Sequence, residues 1–283
     1  MIGRQAGAAN LAAPAQAHVS AGRGRRDGAA AWRAEALRIL AIGAVLGLWQ
    51  ASGLFMNPIF ISTPLAVLKA FASSIADGSL PAAFLSSLLE MVIGLGVATL
   101  AGFGLGIAMG RVRVVERVFD PFVNFFNATP TIALLPLMEI WFGTDVRARV
   151  AFIVIICIWT IVINVLSGVR NVRRGYADVG AAFGLGPLAM TFKIFVPAAM
   201  PFFLAGMRVA LAQATVGMIL GGQEVGESGL GGLTENFGSY FQTDYLIAAI
   251  ITSTGLAMML FGFLKLFQYR FYPWIAASAA ARR

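Results

Sequence analysis

The chain has 283 residues, of which 59% are hydrophobic and only 12% charged, and its formal net charge is +8. Soluble domains carry about 25% charged residues, so a chain this poor in charge could not cover its own surface in water. The basic residues fall in short clusters between long uncharged runs, which is a membrane-orientation pattern and excludes a nucleic-acid-binding face. The single cysteine, Cys157, and the single histidine, His18, exclude a disulfide framework, a CxxC metal site and histidine-based catalysis.

Residues 1–33 are rich in Ala, Gly and Arg and have no apolar periodicity, so they read as a disordered cytoplasmic tail. Six apolar segments then follow, each near the roughly 20 residues that a helix needs to cross the hydrocarbon core. They run from Leu37 to Met56, Ser86 to Gly110, Phe119 to Phe142, Val150 to Val169, Pro197 to Leu220 and Tyr245 to Phe267. The first is long enough to span and is followed by others, so it reads as an anchor and not as a cleaved signal. The fold class is an all-α membrane protein of six transmembrane helices, with a membrane domain over 34–275 and a second cytoplasmic tail over 276–283.

Lysine and arginine set the orientation. With the N-terminus inside, the cytoplasmic side holds the six arginines of the tail and first helix entry, then Arg111, Arg113 and Arg117. It also holds Arg170, Arg173, Arg174 and Lys193, and finally Lys265, Arg270, Arg282 and Arg283. Lys69, Arg147 and Arg149 fall outside, and Arg208 lies within the fifth span. Both termini are therefore expected in the cytoplasm, with Trp49, Trp141 and Trp274 as interface anchors.

Between spans one and two, Thr63-Pro64 is a helix start, with Thr63 as cap. Leu65, Leu68, Phe71 and Ile75 follow at helical spacing, which predicts an amphipathic helix on the outer membrane surface. In span two, Gly102, Gly106 and Gly110 share one face, which suits close helix packing. In span three, Pro130 and Pro136 stand in mid-segment near Asn127, Thr129 and Thr131, and the break either lines a translocation path or is a structural kink. Three ionisable residues fall inside spans: Glu90, near an end and expected to reach water; Glu139, one turn from the outer end; and the deep Arg208. Arg208 either meets an anionic substrate or pairs with an acid or carbonyls of another helix. With Gln213, the candidate path residues are Asn127, Thr129, Thr131, Glu139, Arg208 and Gln213.

The cytoplasmic stretch from Gly175 to Pro201 is too polar to insert, yet it is patterned. Tyr176, Val179, Ala182 and Phe183 fall on one helical face, Gly184 and Gly186-Pro187 make a turn, and Leu188, Phe192 and Phe195 resume an apolar stripe. Two short helices at an angle are expected, either as a docking knob for another protein or as a hairpin on the inner leaflet. After span five, the segment from Gly221 to Asp244 carries Glu224, Glu227, Glu235 and Asp244 without a lysine or arginine. It either faces an external binding protein or is a solvated loop.

The first of these stretches carries a resemblance. Asp178-Val179-Gly180, three residues, Gly184, nine residues, then Ile194-Phe195-Val196-Pro197 resembles the E-A-A loop of ATP-binding-cassette importer permeases, whose pattern ends I-x-L-P. Asp178, Gly180 and Val196 depart from it. Ile61-Ser62-Thr63-Pro64, Thr129-Pro130 through Leu134-Leu135-Pro136-Leu137 to Trp141-Phe142-Gly143, Gly206-Met207-Arg208 and Ser228-Gly229-Leu230-Gly231 resemble the nitrate, sulfonate and taurine branch. The family that the chain resembles often has a glutamate where Gly222 stands here.

The resemblance implies a type I importer permease fold, with Tyr176, Asp178, Val179, Gly180, Ala181, Ala182, Phe183, Gly184, Leu185 and Pro197 in the loop that couples to an ATPase. It implies ATP-binding-cassette ATPase subunits, a periplasmic or lipid-anchored substrate-binding protein and a second permease copy, identical or related, as partners in an inner membrane. The chain has no G-x-x-x-x-G-K-[ST], so it binds no cofactor itself, and ATP and Mg sit on the partner. The implied solute is a small anion or organic molecule of the sulfonate, taurine or nitrate kind. A secondary transporter would need an internal repeat, and none shows between the halves; a membrane enzyme would need convergent His, Asp or Cys residues in the spans, and the sequence offers almost none.

Overall fold

The computed structural model describes residues 23–55, 57, 60–225 and 228–271. The first part of the expected N-terminal tail (1–22), the expected C-terminal tail (276–283), Trp274 and Glu227 lie outside the described residues. Helix α1 (Arg23–Phe55) belongs to a unit of its own, residues 1–56. It begins inside the segment expected as tail, and Glu35–Gly53 is apolar and long enough to cross a membrane. At its polar end Arg38 pairs with Glu35 at 3.2 Å.

The second unit begins with α2 (Pro64–Ala76), capped as the sequence predicts: the Thr63 hydroxyl accepts from the Ala66 amide at 3.3 Å, and Pro64 holds the first position. Its buried face is Val67, Ala70 and Ser74, packed toward later helices, while Leu65, Leu68 and Ile75 are exposed. The protein thus uses the narrower, small-residue face and leaves the larger apolar side chains for a lipid surface. Asp77 then ties α2 to α3 (Ser79–Arg111), accepting from the Ser79 hydroxyl at 2.7 Å and the Ser79 amide at 2.8 Å. Those two bonds hold its carboxyl below the usual carboxylate range.

The expected third span is broken. Helix α4 (Arg113–Ala128) ends at Thr129, a short 3₁₀ turn covers Thr131–Leu134, and α5 (Leu135–Phe142) follows, the two arms bent by 101°. The cause is local. Pro130 cannot donate to the helix and drives the preceding Thr129 to an extended ψ of 132°.

Helix α6 (Val146–Arg170) starts earlier than expected, so Arg147 and Arg149 belong to a helix and not to a loop. The loop from Gly175 forms α7 (Arg174–Ala182) and α8 (Pro187–Met190). A π turn over Thr191–Phe195 leads into α9 (Val196–Glu224), and Pro187–Glu224 is one helical segment of 38 residues, long and apolar enough to cross a membrane. The acidic segment is not a solvated loop. It forms α10 (Gly229–Ser239), with Leu230, Gly231, Gly232 and Thr234 buried. Helix α11 (Thr243–Phe271) closes the described chain, giving five membrane-length helices, or six crossings if the bent pair counts as one.

Within the second unit α6 is central, packed between α3 and α9. Its ridge of Ile153, Ile161, Val165 and Val169 enters a groove of small residues on α3. A Cβ on Gly94 would lie 2.6 Å from Ile153, one on Gly102 3.0 Å from Ile161, one on Gly106 2.8 Å from Val165 and one on Gly110 2.5 Å from Val169. The packing role predicted for this glycine face is the one observed, and Gly104 beside it has no atom within 4 Å. Replacing Gly106 by leucine is expected to lower stability by about 1–3 kcal/mol, the usual cost of overpacking, whereas Gly104→Leu should leave it unchanged. Thermal unfolding in detergent measures both, and equal shifts would mean that α6 does not seat on this groove.

Candidate functional site

The patterned loop folds into a knob whose geometry follows from three residues. At the end of α7 the Leu185 amide donates to the Gly180 carbonyl at 3.0 Å and the Gly184 amide to the Ala181 carbonyl at 2.9 Å. This pair of bonds is a Schellman helix stop, and it requires a left-handed residue at the position Gly184 holds, with φ +71°. Gly180 faces inward, where a Cβ would lie 2.6 Å from Ile194. An alanine there would require the Ile194 side chain to move aside.

The far side of the knob is pinned to the spans. Ala177, Met190 and Ile194 pack on Val169, Phe195 and Ala199. Arg111, the last residue of α3, donates from Nε to the Thr191 hydroxyl at 3.2 Å and stacks its guanidinium 4.1 Å from the Phe195 ring centre. The Val196 amide reaches back to Thr191 O, one residue further than in an α-helix, just before Pro197, which has no N–H to offer. Outward, Tyr176, Val179, Phe183, Leu188 and Phe192 are all exposed, Phe183 by 82%. Asp178, Ala181, Ala182, Gly184 and Pro197 are exposed with them, and Leu185 is half-buried. One apolar face is thus filled by the chain and the other is left bare.

The six candidate path residues do not converge within one chain. Thr129 and Thr131 sit at the break between α4 and α5, the Thr129 hydroxyl donating to Phe125 O at 2.8 Å. Asn127 is exposed beside it, and Glu139 is half-buried on α5. Gln213 on α9 accepts from the Thr160 hydroxyl of α6 at 2.8 Å. Arg208, exposed on the same helix, donates to the Gln268 side chain of α11. Its partner is therefore an amide, not an acid.

Glu90 corrects the sequence reading. It is 2% exposed and does not reach water; Arg149, read as a loop residue, is 3% exposed. Arg149 Nε and Nη2 both lie 3.0 Å from Glu90 Oε1, and Nη1 donates to Val225 O at 2.9 Å. The Ser86 hydroxyl adds a bond to Glu90 at 3.3 Å. One turn away the Ser87 hydroxyl accepts the Leu230 amide at 2.9 Å, satisfying the first turn of α10. Gly229 beside it has φ +65°, and a Cβ there would lie 2.5 Å from the Ser87 oxygen. Gly222 is equally closed, with Ser228 O 2.6 Å from a would-be Cβ, so no larger side chain has room there. Of the two, only Glu90 stood inside a span in the sequence, and nothing there placed Arg149 beside it.

Comparison with known proteins agrees with this architecture. Residues 98–275 match the family described as binding-protein-dependent transport system inner membrane component. The taurine transport system permease of Escherichia coli K12 is 26% identical over 245 residues, 84% of this chain and 89% of that one. A formylaminopyrimidine transport permease of Halalkalibacterium halodurans is 26% identical over 231 residues, covering 80% and 91%. A bicarbonate transport system permease of Synechococcus elongatus is 26% identical over 191 residues, covering 68% and 66%. Among solved structures, a chain of the inward-facing MetNI methionine ABC transporter superposes with a TM-score of 0.58 at 18% identity, over 69% of this chain and 95% of that one. The likeness shows the type I importer permease fold.

The buried pair gives a test. Removing one partner strands a charge, which typically costs about 3–5 kcal/mol, so Glu90→Leu or Arg149→Met should fold poorly or unfold at clearly lower temperature. The double variant Glu90→Leu with Arg149→Met should recover most of that loss in the same thermal assay. Additive losses would mean that the two side chains do not meet.

Proposed function

The chain belongs to the family of binding-protein-dependent transport system inner membrane components, and on that premise we propose that it carries a small anion or polar organic solute inward through a path shared with a second permease copy. It is the non-catalytic membrane subunit of an ATP-driven importer, with hydrolysis on a separate subunit. The relatives named for taurine, bicarbonate and formylaminopyrimidine support the solute class by their common small size and polarity.

The observation that carries the proposal is the knob. Its inner face is locked to α3, α6 and α9 through Arg111, Phe195 and Ile194, while its outer face is bare and apolar. Driving a two-state path from one side to the other takes about 5.5 kcal/mol of differential binding, and a chain without a phosphate loop must take that energy from a partner. The bare face seats in the ATPase subunit, and the locked face passes the displacement to the spans. On this reading both termini and the knob are cytoplasmic, and α10 with its exposed Glu235, together with the exposed Glu224 at the end of α9, faces the binding protein outside.

Phe183→Ser leaves the packed face untouched, so the chain should reach the membrane at normal levels. Loss of an aromatic anchor is worth about 2 kcal/mol or more, so uptake and binding-protein-stimulated ATPase of the assembled complex should fall over tenfold. Gly184→Leu should act the same way through backbone strain at its left-handed position, since no atom stands within 4 Å to clash. Normal uptake in both variants would remove the knob from the mechanism, and accumulation driven by an ion gradient without any ATPase would replace the importer by a secondary transporter.

Orientation is tested separately in a Cys157→Ser background. A cysteine at position 228 in place of Ser228 should react with an impermeant thiol reagent on intact cells, and one in place of Ala189 should not. The opposite labelling would invert the proposed direction of the helices.

A further inference from the structure

A second polar feature lies at the same end of the bundle as the knob, where α4 leaves α3. Arg113, Glu116, Arg117, Asp120 and Pro121 of α4 and Arg170, the last residue of α6, line an open cavity of about 530 Å³. Glu116 pairs with Arg170, and Asp120 accepts from the Asn124 amide at 3.0 Å. Arg113 and Arg117 have no acidic partner among the described residues. Three guanidiniums against two carboxylates leave the cavity one positive charge in excess, carried by arginines free to turn into it.

The rest of α4 says what kind of anion fits. Val114, Val118, Phe122 and Phe125 lie on the other face of the same helix, and all are exposed. The helix meets the following arm at 101° and so does not continue its direction, and Arg170 is the last residue of α6, a helix long and apolar enough to cross a membrane, where basic residues ordinarily mark the boundary. Basic arginines beside an exposed apolar strip at that level match a molecule with a phosphate at one end and hydrocarbon at the other. A free phosphate would use the arginines and leave the strip bare. A soluble protein partner would need to cover an aromatic face that lies at the membrane boundary.

We propose that this cavity binds the phosphate of an anionic phospholipid, whose acyl chains lie along the exposed apolar face of α4. Arg113 and Arg117 supply the charge-assisted hydrogen bonds, and Arg170 stays with Glu116 as the wall of the site. The assignment requires neither the direction of the helices nor the identity of the solute.

The test uses the full-length chain purified in mild detergent and exposed to phosphatidylglycerol or phosphatidylcholine, with retained lipid counted by native mass spectrometry. Phosphatidylglycerol should be retained in preference to phosphatidylcholine. The Arg113→Gln, Arg117→Gln double variant should lose that preference, by about fivefold for each arginine removed, while the corresponding double lysine variant should keep most of it. Lys69→Gln, away from the cavity, should change nothing. Phe122→Ser should weaken phosphatidylglycerol retention without changing any binding of inorganic phosphate. The proposal is overturned if both lipids are retained equally, or if the glutamine variant retains lipid like the parent. It is also overturned if the lysine variant fails as completely as the glutamine one, which would indicate a structural role. Displacement of the lipid by equimolar inorganic phosphate would make the cavity a plain phosphate site, and displacement by the ATPase subunit would make it a protein contact; either result sinks the lipid assignment.

Discussion

The seam between α3 and α6 sets the geometry of the whole second unit. Its contacts advance in steps of four on both helices: Gly94 with Ile153, Gly102 with Ile161, Gly106 with Val165, Gly110 with Val169. Ala98 and Cys157 share the buried cluster at the place left for them. Because partners advance together along both chains, the two helices run in the same direction. In a bilayer there is no hydrophobic drive between apolar helices, so close backbone approach through small residues supplies the attraction.

The register of that seam fixes what happens at both ends. Glu90 stands one turn before Gly94 and Arg149 one turn before Ile153, so the ion pair, 59 positions apart, obeys the same offset as the glycine contacts. A buried pair is weak evidence for stability, because desolvation offsets most of the Coulomb attraction. Its contribution here is to register: a slip of one turn would strand both charges and open the Val225 carbonyl. At the other end Arg111 follows Gly110 and is thereby delivered to Thr191 and Phe195, the inner face of the knob. A single packing period therefore connects the buried pair at one end with the knob at the other.

The knob combines opposite demands. If it acts as proposed it must be stiff enough to transmit a displacement, and its Schellman stop, its inward Gly180 and the Arg111 contacts stiffen it. It must also be incomplete, with large apolar side chains left without partners in this chain. A soluble protein could not carry such a face uncovered without a partner to bury it. The bent pair of α4 and α5 shows the same division, with Pro130 breaking one segment into an amphipathic arm and an apolar one that meet at 101°.

The sequence by itself determined what depends on local chemistry and on the solvent: five of the six crossings as helices, the Thr63 cap, the break at Pro130, the glycine face of α3 and the two-helix knob around Gly184. These follow from length, periodicity and the backbone limits of glycine and proline, which act within a few residues. It misplaced Glu90 and Arg149 because each, taken alone, sits near a span end where water is the default partner. It left a solvated loop as one reading of the acidic stretch because the buried face of α10 is small and half of it is glycine, which carries no hydropathy signal. Only the tertiary structure decided which charges meet, since that depends on the register of two helices separated by a broken third. Likewise, the full set of exposed polar and charged groups on α4 acquires meaning only when Arg170 arrives beside it from another helix. Local rules fix where a helix begins and stops, but the offset between helices is set by packing over many turns at once.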